Sequence, residues 1–175
     1  MNDNDEMAPE GFDSEAQESA FTNAFRKGTW LLHNGNAAEA APLLERAYQL
    51  RPDEVDAGIN LAGAYILTKK FSKATAILEP LSDKYPDHAM VWTNLGAAYL
   101  GNPVLAGEEH QLRAIDAFKR ALAIDPLSPS VAYNIGLIYR DRGDKDKAIH
   151  WFQRALETNP LDEHARNILT KLEAG

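Results

Sequence analysis

The 175-residue sequence has an ordinary globular composition, with 25% charged residues, a net charge of −8 and no cysteine. Without cysteine, disulfides, thiolate metal sites and cysteine nucleophiles are excluded. No apolar run approaches the roughly 20 residues of a membrane helix, and the acidic N-terminus lacks the basic start of a secretory signal. We therefore expect a cytoplasmic protein without membrane insertion.

The negative charge is concentrated in the first 20 residues, which carry seven acids and neither lysine nor arginine. The rest of the chain holds 19 acids against 18 bases. Such a near-neutral body has no cationic excess to neutralise phosphates, which argues against nucleic-acid binding. We interpret residues 1–20 as a disordered acidic leader, and the alternative is a tail that docks on a basic patch of a partner. Ser14 and Gln17 resemble a capping box, which places the first helix start near Glu15.

Residue spacing along the body indicates an internal repeat. Three series of residues keep an interval of 34, broken in each series by one interval of 40. The interval of 40 places six extra residues between Gly96 and Ala114. The series are Pro52, Pro86, Pro126 and Pro160; Gly28, Ala62, Gly96 and Gly136; and Ala40, Ala74, Ala114 and Ala148.

Each repeat has the pattern of two amphipathic helices joined by a turn. In the third repeat, Trp92, Leu95, Gly96 and Tyr99 recur at i, i+3, i+4 and i+7, which is one face of an α-helix. Turn signals separate the paired helices at "HNGN", 33–36, and "DRGD", 141–144. Small residues suit the point where paired helices cross, because they let the two backbones approach closely.

These residues resemble the tetratricopeptide repeat. The best copy is Trp92-x2-Leu95-Gly96-x2-Tyr99 followed by Ala114-x3-Phe118-x2-Ala121 and Pro126, and the fourth repeat has Ile135-Gly136-x2-Tyr139, Ala148, Phe152, Ala155 and Pro160. Looser copies contain Leu61-Ala62-x2-Tyr65 and Gly28-x2-Leu31. The resemblance implies an all-α, right-handed α-solenoid of four helix-turn-helix repeats plus a C-terminal capping helix. The predicted repeats are 21–54, 55–88, 89–128 and 129–162, and the capping helix is 163–175.

The six extra residues fall between the two helices of the third repeat, within 101–112. Pro103, Glu108 and Glu109 suit a helix start, since acids are favourable near the N-terminal end of the helix dipole. One interpretation therefore lengthens the second helix by up to about 9 Å. A plain loop is the second interpretation, and a binding role for the segment 101–112 is the third.

The resemblance implies that the first helix of each pair lines a concave groove for extended or helical peptides. In this register Asn60, Asn94 and Asn134 recur once per repeat, and Arg26 takes the same slot in the first repeat. Each amide can donate to a peptide carbonyl and accept from a peptide N–H. The alternative is that each asparagine bonds a neighbouring helix.

Apolar residues surround the asparagines on the same helix faces, among them Ile59, Ile66, Leu100 and Tyr133. Contiguous exposed apolar surface usually marks an interaction site, although some of these residues can instead pack between repeats. Arg26 and Arg140 flank the predicted groove, where an arginine can hold a carboxylate.

No catalytic motif accompanies these features, and the five histidines do not fall at metal-ligand spacings. We therefore expect no catalytic residue, no metal and no cofactor. The predicted function is a non-enzymatic scaffold or adaptor that binds a protein or peptide with an apolar or amphipathic segment. The alternative is a self-assembling structural protein whose groove accepts a terminal segment of another copy, so a homo-oligomer stays open.

Overall fold

A computed structural model describes residues 10–101, 106–128 and 130–174. The regular structure within these ranges is entirely helical, which confirms the all-α fold class. The chain forms two compact units, Met1–Ala64 and Tyr65–Gly175. The helices are α1 (Glu10–His33), α2 (Ala37–Leu50), α3 (Val55–Leu67), α4 (Phe71–Lys84), α5 (Ala89–Leu100), α6 (Glu108–Ile124), α7 (Val131–Asp141), α8 (Lys145–Thr158) and α9 (Glu163–Ala174).

In the first unit, α1 packs along α2. Gly28 lies at their crossing, where an added Cβ would come within 2.8 Å of Leu44 Cγ. Leu44 is completely buried, so only a residue without a side chain lets α1 approach α2 this closely. The glycine of the repeat pattern is therefore required by helix packing.

Helix α1 begins earlier than the sequence indicated. Its first residue is Glu10, so residues 10–20, which we expected in a disordered leader, are helical and the start precedes Glu15. This segment is rich in helix-forming alanine, glutamate and glutamine, and its acids lie at the favourable end of the helix dipole. Residues 1–9 of the predicted leader lie outside the described residues.

In the second unit, α5 crosses α6 and α7 crosses α8 at a glycine. A Cβ added at Gly96 would lie 2.6 Å from Phe118 Cδ1, and one added at Gly136 would lie 3.1 Å from Phe152 Cε1. Both phenylalanines are completely buried. A core cluster then joins α6, α7 and α8 through Ala114, Ile115, Phe118, Leu122, Val131, Ala132, Ile135, Ile138, Trp151 and Ala155.

The end of the second unit is covered by α9. Its Ala165 is fully buried against Ala148 and Phe152 of α8. Ile168, Leu169 and Leu172 pack on the same cluster, while much of the remaining helix surface is exposed. This one-sided apolar stripe is what the sequence pattern of 163–175 indicated for a capping helix.

The repeat prolines follow helix ends. Each comes directly after the C-cap residue of a helix, and those residues, Arg51, Tyr85, Asp125 and Asn159, have extended φ angles between −127° and −140°. A proline disfavours the helical conformation in the residue before it. The spacing of these prolines therefore sets where α2, α4, α6 and α8 end.

Three of the short turns within helix pairs share one backbone motif. The middle residue of each is in the left-handed region, at Gly35, Lys69 and Gly143, with φ of 80°, 60° and 75°. The N–H of the following residue returns to a carbonyl five residues earlier, for example Asn36 N–H to Leu31 O at 2.9 Å. This is the Schellman closure of a helix, which favours glycine at the left-handed position.

Lys69 is the non-glycine member of that set, and this predicts a stabilising substitution. The left-handed conformation costs an L-residue about 1–2 kcal/mol, while glycine loses about 0.5–1 kcal/mol more through unfolded-chain entropy. Lys69→Gly should therefore raise the free energy of unfolding by up to about 1 kcal/mol. Denaturant titration measures this. Lys119→Gly is the matched control: this lysine is exposed inside α6, so glycine there should lower stability by up to about 1 kcal/mol, and the same sign for both variants would contradict the strain.

The six extra residues of the third repeat are divided between a connection and a helix. Helix α5 ends at Leu100 and α6 begins at Glu108, and residues 102–105, including Pro103, lie outside the described residues. Helix α6 has 17 residues, against 14 in α2, α4 and α8, which corresponds to about 4.5 Å of extra helix. The start of α6 is held from the next repeat, because Arg142 donates to Glu108 Oε1 at 2.7 Å and to Gln111 Oε1 at 3.2 Å.

Candidate functional site

The predicted binding faces in the second unit belong to α5 and α7. Ala97 and Leu100 of α5 pack against the same core cluster as Tyr133 and Tyr139 of α7. The asparagines Asn94 and Asn134 are half-buried at equivalent positions of these two helices. The structure therefore presents two similar helix faces over one shared core.

The three asparagines have different surroundings. Asn60, in the first unit, donates from Nδ2 to Thr29 Oγ1 of α1 at 3.0 Å, which is the neighbouring-helix bond that we considered as the alternative. The side chain of Asn134 makes no hydrogen bond within the described ranges 10–101, 106–128 and 130–174. The unused donors and acceptor of Asn134 make it the asparagine best suited to a ligand.

The predicted apolar residues divide between core and surface. Ile59 is buried, with 7% of its surface exposed, so the prediction that it contacts a ligand is wrong for this conformation, because its side chain is part of the core. Ile66 and Leu100 are half-buried. Tyr133 is also half-buried and makes an edge-to-face contact with Phe152 at 5.6 Å, so it supports packing between α7 and α8.

The two predicted arginines are both exposed. Arg26 lies on α1 of the first unit. Arg140, near the end of α7, donates to Asp141 Oδ1 from Nε at 2.8 Å and from Nη2 at 2.5 Å. Because exposed ion pairs contribute little stability, this pair does not prevent Arg140 from exchanging to a ligand carboxylate.

A surface depression of about 520 Å³ adjoins the start of α5. It is lined mainly by apolar atoms, with Met90 and Ile124 49% and 37% exposed. Thr93 and His88 also border it, and His88 Nδ1 is a buried nitrogen without a hydrogen-bond partner in the described part of the chain. The depression can hold an apolar side chain next to polar groups.

Sequence reasoning missed two leucines in the turns between repeats. Leu127 and Leu161 are 68% and 84% exposed. Each donates its backbone N–H to the side chain two residues earlier, Asp125 Oδ1 and Asn159 Oδ1 respectively. The shared Asx-Pro-Leu sequence was the signal that would have identified these turns.

A polar cluster joins α4, α5 and α6. Tyr99 Oη donates to Glu79 Oε1 at 3.0 Å, and Arg113 donates to the same oxygen at 2.9 Å while its guanidinium stacks 4.0 Å from the Tyr99 ring. Burial, then the hydrogen bond to Glu79, raises the pKa of Tyr99. The phenol is protonated at neutral pH, so it acts as a donor to Glu79 that ties α5 to α4.

The structure also bears on metal binding and on membrane insertion. No group of three or more histidine and carboxylate side chains that could hold a metal ion occurs among the residues that the structure describes. In the same part of the chain, no helix is both long and apolar enough to cross a bilayer.

Proteins with similar sequences include some that are longer than this chain. Human protein O-mannosyl-transferase TMTC3 is 29% identical, with 83% of this chain and 15% of that protein covered. The photosystem I assembly protein Ycf3 of Prochlorococcus marinus (strain NATL2A) is 27% identical, with 76% of this chain and 60% of that protein covered. The chain therefore spans less than two thirds of the length of these relatives.

A solved structure shows the same fold. The crystal structure of a thermophilic TPR protein of Thermus thermophilus superposes with a TM-score of 0.75 at 24% sequence identity. The superposition covers 88% of this chain and 81% of that one. This similarity confirms the predicted helical repeat fold.

Two family models describe the repeats directly. Both are tetratricopeptide repeat models, one matching residues 31–98 and the other residues 129–161. The matched segments together exceed half of the chain. They contain two of the glycine crossings and three of the helix-ending prolines found in the sequence. The chain belongs to the tetratricopeptide repeat family.

Proposed function

We propose that this chain is a non-enzymatic scaffold that binds an extended segment of another protein along α5 and α7. The faces concerned carry Asn94 and Leu100 on α5, and Asn134 and Arg140 on α7. Membership of a helical repeat family supports a scaffold. The similarity to a transferase covers only 15% of that protein, so it does not extend the transferase activity to this chain.

The observation that carries the proposal is the amide of Asn134. It is half-buried and makes no side-chain hydrogen bond to any residue described in the structure. A polar group that is partly removed from water gains from a partner that supplies a donor and an acceptor together. The backbone of an extended peptide supplies both at each residue.

The surroundings indicate an amphipathic partner with an acidic residue. Met90 is exposed at the edge of the apolar depression, and methionine adapts its shape to varied apolar side chains. Arg140 can exchange its exposed bond with Asp141 for a carboxylate of the partner. The similar protein Ycf3 is named as an assembly protein of photosystem I, so its name also describes an action on other proteins.

Peptide selection tests the proposal directly. Random linear peptides displayed on phage are selected against the intact chain, and the strongest binders are measured by calorimetry. Asn134→Ala should weaken binding by about 1–3 kcal/mol, which is roughly 5- to 150-fold, because the peptide group loses its partner. Thermal melting should change little, since the amide bonds no residue in the described part of the chain.

Gln153→Ala is the matched control, because it removes an exposed amide from α8 of the same repeat. Equal affinity of both variants and the wild type would contradict the proposed site. A synthetic peptide of residues 1–20 tests the self-assembly alternative. Binding of that peptide, lost in Asn134→Ala, would show that the same surface accepts a terminal segment of another copy.

A further inference from the structure

The two halves of α1 carry opposite charge. Residues 10–20 contain four acids and no base, whereas residues 21–33 contain Arg26 and Lys27 and no acid. The helix has 24 residues, against 11–13 in α3, α5 and α7. The additional length is therefore the acidic half.

This acidic half extends past the helix on which α1 packs. The guanidinium of Arg51, which follows the last residue of α2, contacts Glu18 and stacks 4.3 Å from the ring of Phe21. Phe21 is buried, whereas residues 15–19 are exposed. Short helical segments are marginal in water without tertiary packing, so the overhang is a segment that gains from a partner.

The basic half carries an exposed aromatic side chain. Trp30 is 61% exposed on α1, and it borders a surface depression with Asn23, Arg26 and Lys27. These four residues follow the i, i+3, i+4, i+7 spacing of one helix face. Tryptophan and arginine are the side chains most often found at the centres of protein interfaces.

We propose that the α1 helices of two copies of this chain pair antiparallel, with the acidic overhang of each copy on the Trp30 face of the other. Pairing about Asn23, which lies on the same face as Trp30 near the middle of α1, places Trp30 against Ala16 of the second copy, next to Glu15. Ala16 lies on the same helix stripe as Trp30, so a small residue meets the indole. A parallel pair would instead place acids against acids.

The charge pattern favours a second copy as the occupant of the Trp30 face. The acidic half and the face with Arg26 and Lys27 belong to one continuous helix, so within one copy they cannot meet. Two antiparallel copies bring the acidic half of each onto the basic half of the other. This interface lies in the first unit and does not depend on the peptide-binding proposal for α5 and α7.

Sedimentation equilibrium over a hundredfold concentration range measures the association. We expect the intact chain to form a dimer that weakens as salt screens the charge pairs. Trp30→Ala should weaken dimerisation by more than about tenfold, since the two-fold symmetry removes the side chain twice. A monomer at every concentration, or an unchanged dimer in Trp30→Ala, would overturn the proposal.

Charge exchange supplies a second, independent test. Arg26→Glu with Lys27→Glu forms one variant, and Glu15→Lys with Ser19→Lys, both at exposed positions of the acidic half, forms the other. Each should be monomeric alone, and their equimolar mixture should form a heterodimer, because opposite charges then meet at both ends. Wild-type-like homodimers, or no heterodimer in the mixture, would contradict antiparallel pairing.

Two further variants locate the interface. Leu161→Ala removes a more exposed apolar side chain from the second unit and should leave the dimer intact. Deletion of residues 1–9 should also leave it intact, because those residues precede the paired helix. Loss of the dimer in either variant, with circular dichroism showing an intact fold, would place the contact elsewhere.

Discussion

Replacing Phe118 with alanine is expected to lower the free energy of unfolding by about 3–5 kcal/mol. The ring is completely buried and belongs to the core cluster shared by α6, α7 and α8. It also fills the space against Gly96, so the surrounding helices cannot close the cavity without losing the α5–α6 crossing. Because small proteins have only about 5–15 kcal/mol of stability, the loss should be plain in urea unfolding followed by circular dichroism.

The matched control for this variant is Leu161→Ala. Its side chain is 84% exposed, so truncation should change stability by no more than about 0.5 kcal/mol. A comparable loss in both variants would mean that Phe118 does not occupy the packed core. A loss confined to Phe118→Ala supports the helix arrangement of the second unit.

Replacing Gly96 with alanine is expected to destabilise the protein although alanine is the better helix former. The new methyl group would lie 2.6 Å from Cδ1 and Cε1 of Phe118, closer than carbon atoms tolerate. Overpacking of this kind costs about 1–3 kcal/mol, whereas the gain in helix propensity is about 1 kcal/mol. The net effect should therefore be a lower melting temperature, measured by calorimetry.

The other glycines provide graded comparisons for Gly96→Ala. At Gly136 the added Cβ would lie 3.1 Å from Phe152, so Gly136→Ala should change stability by less than about 1 kcal/mol. The larger Gly136→Leu should cost about 1–3 kcal/mol or more. At Gly107 the nearest atom is His110 Nδ1 at 4.0 Å, so Gly107→Ala should be tolerated. Equal effects at Gly96 and Gly107 would argue against close packing at the crossing.

The position of Gly96 could be predicted from the sequence because helix pairing is a local and periodic property. The apolar spacing from Trp92 to Tyr99 defines a helix face, and the repeat interval gives Gly136 the same place one repeat later. The helix-ending prolines are predictable for the same reason, since a proline restricts the residue before it. Helix order, the glycine crossings and the family therefore followed from the residues alone.

The contacts of individual side chains required the tertiary structure. Asn60 and Asn134 occupy the same repeat position, yet Asn60 bonds Thr29 whereas the Asn134 side chain bonds no group in the described ranges. Ile59 was expected on a binding face and is buried. A repeat register gives the direction of a side chain, but the residues that meet it come from distant parts of the chain.

The start of α1 and the insertion in the third repeat also differ from the sequence-based expectation because of tertiary contacts. The start of α1 at Glu10 lies before the capping-box signal, because the acidic segment continues the helix beyond its packing on α2. The insertion became partly a longer α6, which Arg142 holds through Glu108 from 34 positions along the chain. The sequence by itself determined the helices, their pairing and their periodic crossings, since these depend on residues close together in the chain. Only the tertiary structure decided which polar groups are satisfied and which apolar side chains, such as Trp30, stay exposed, because burial depends on residues far apart in the sequence.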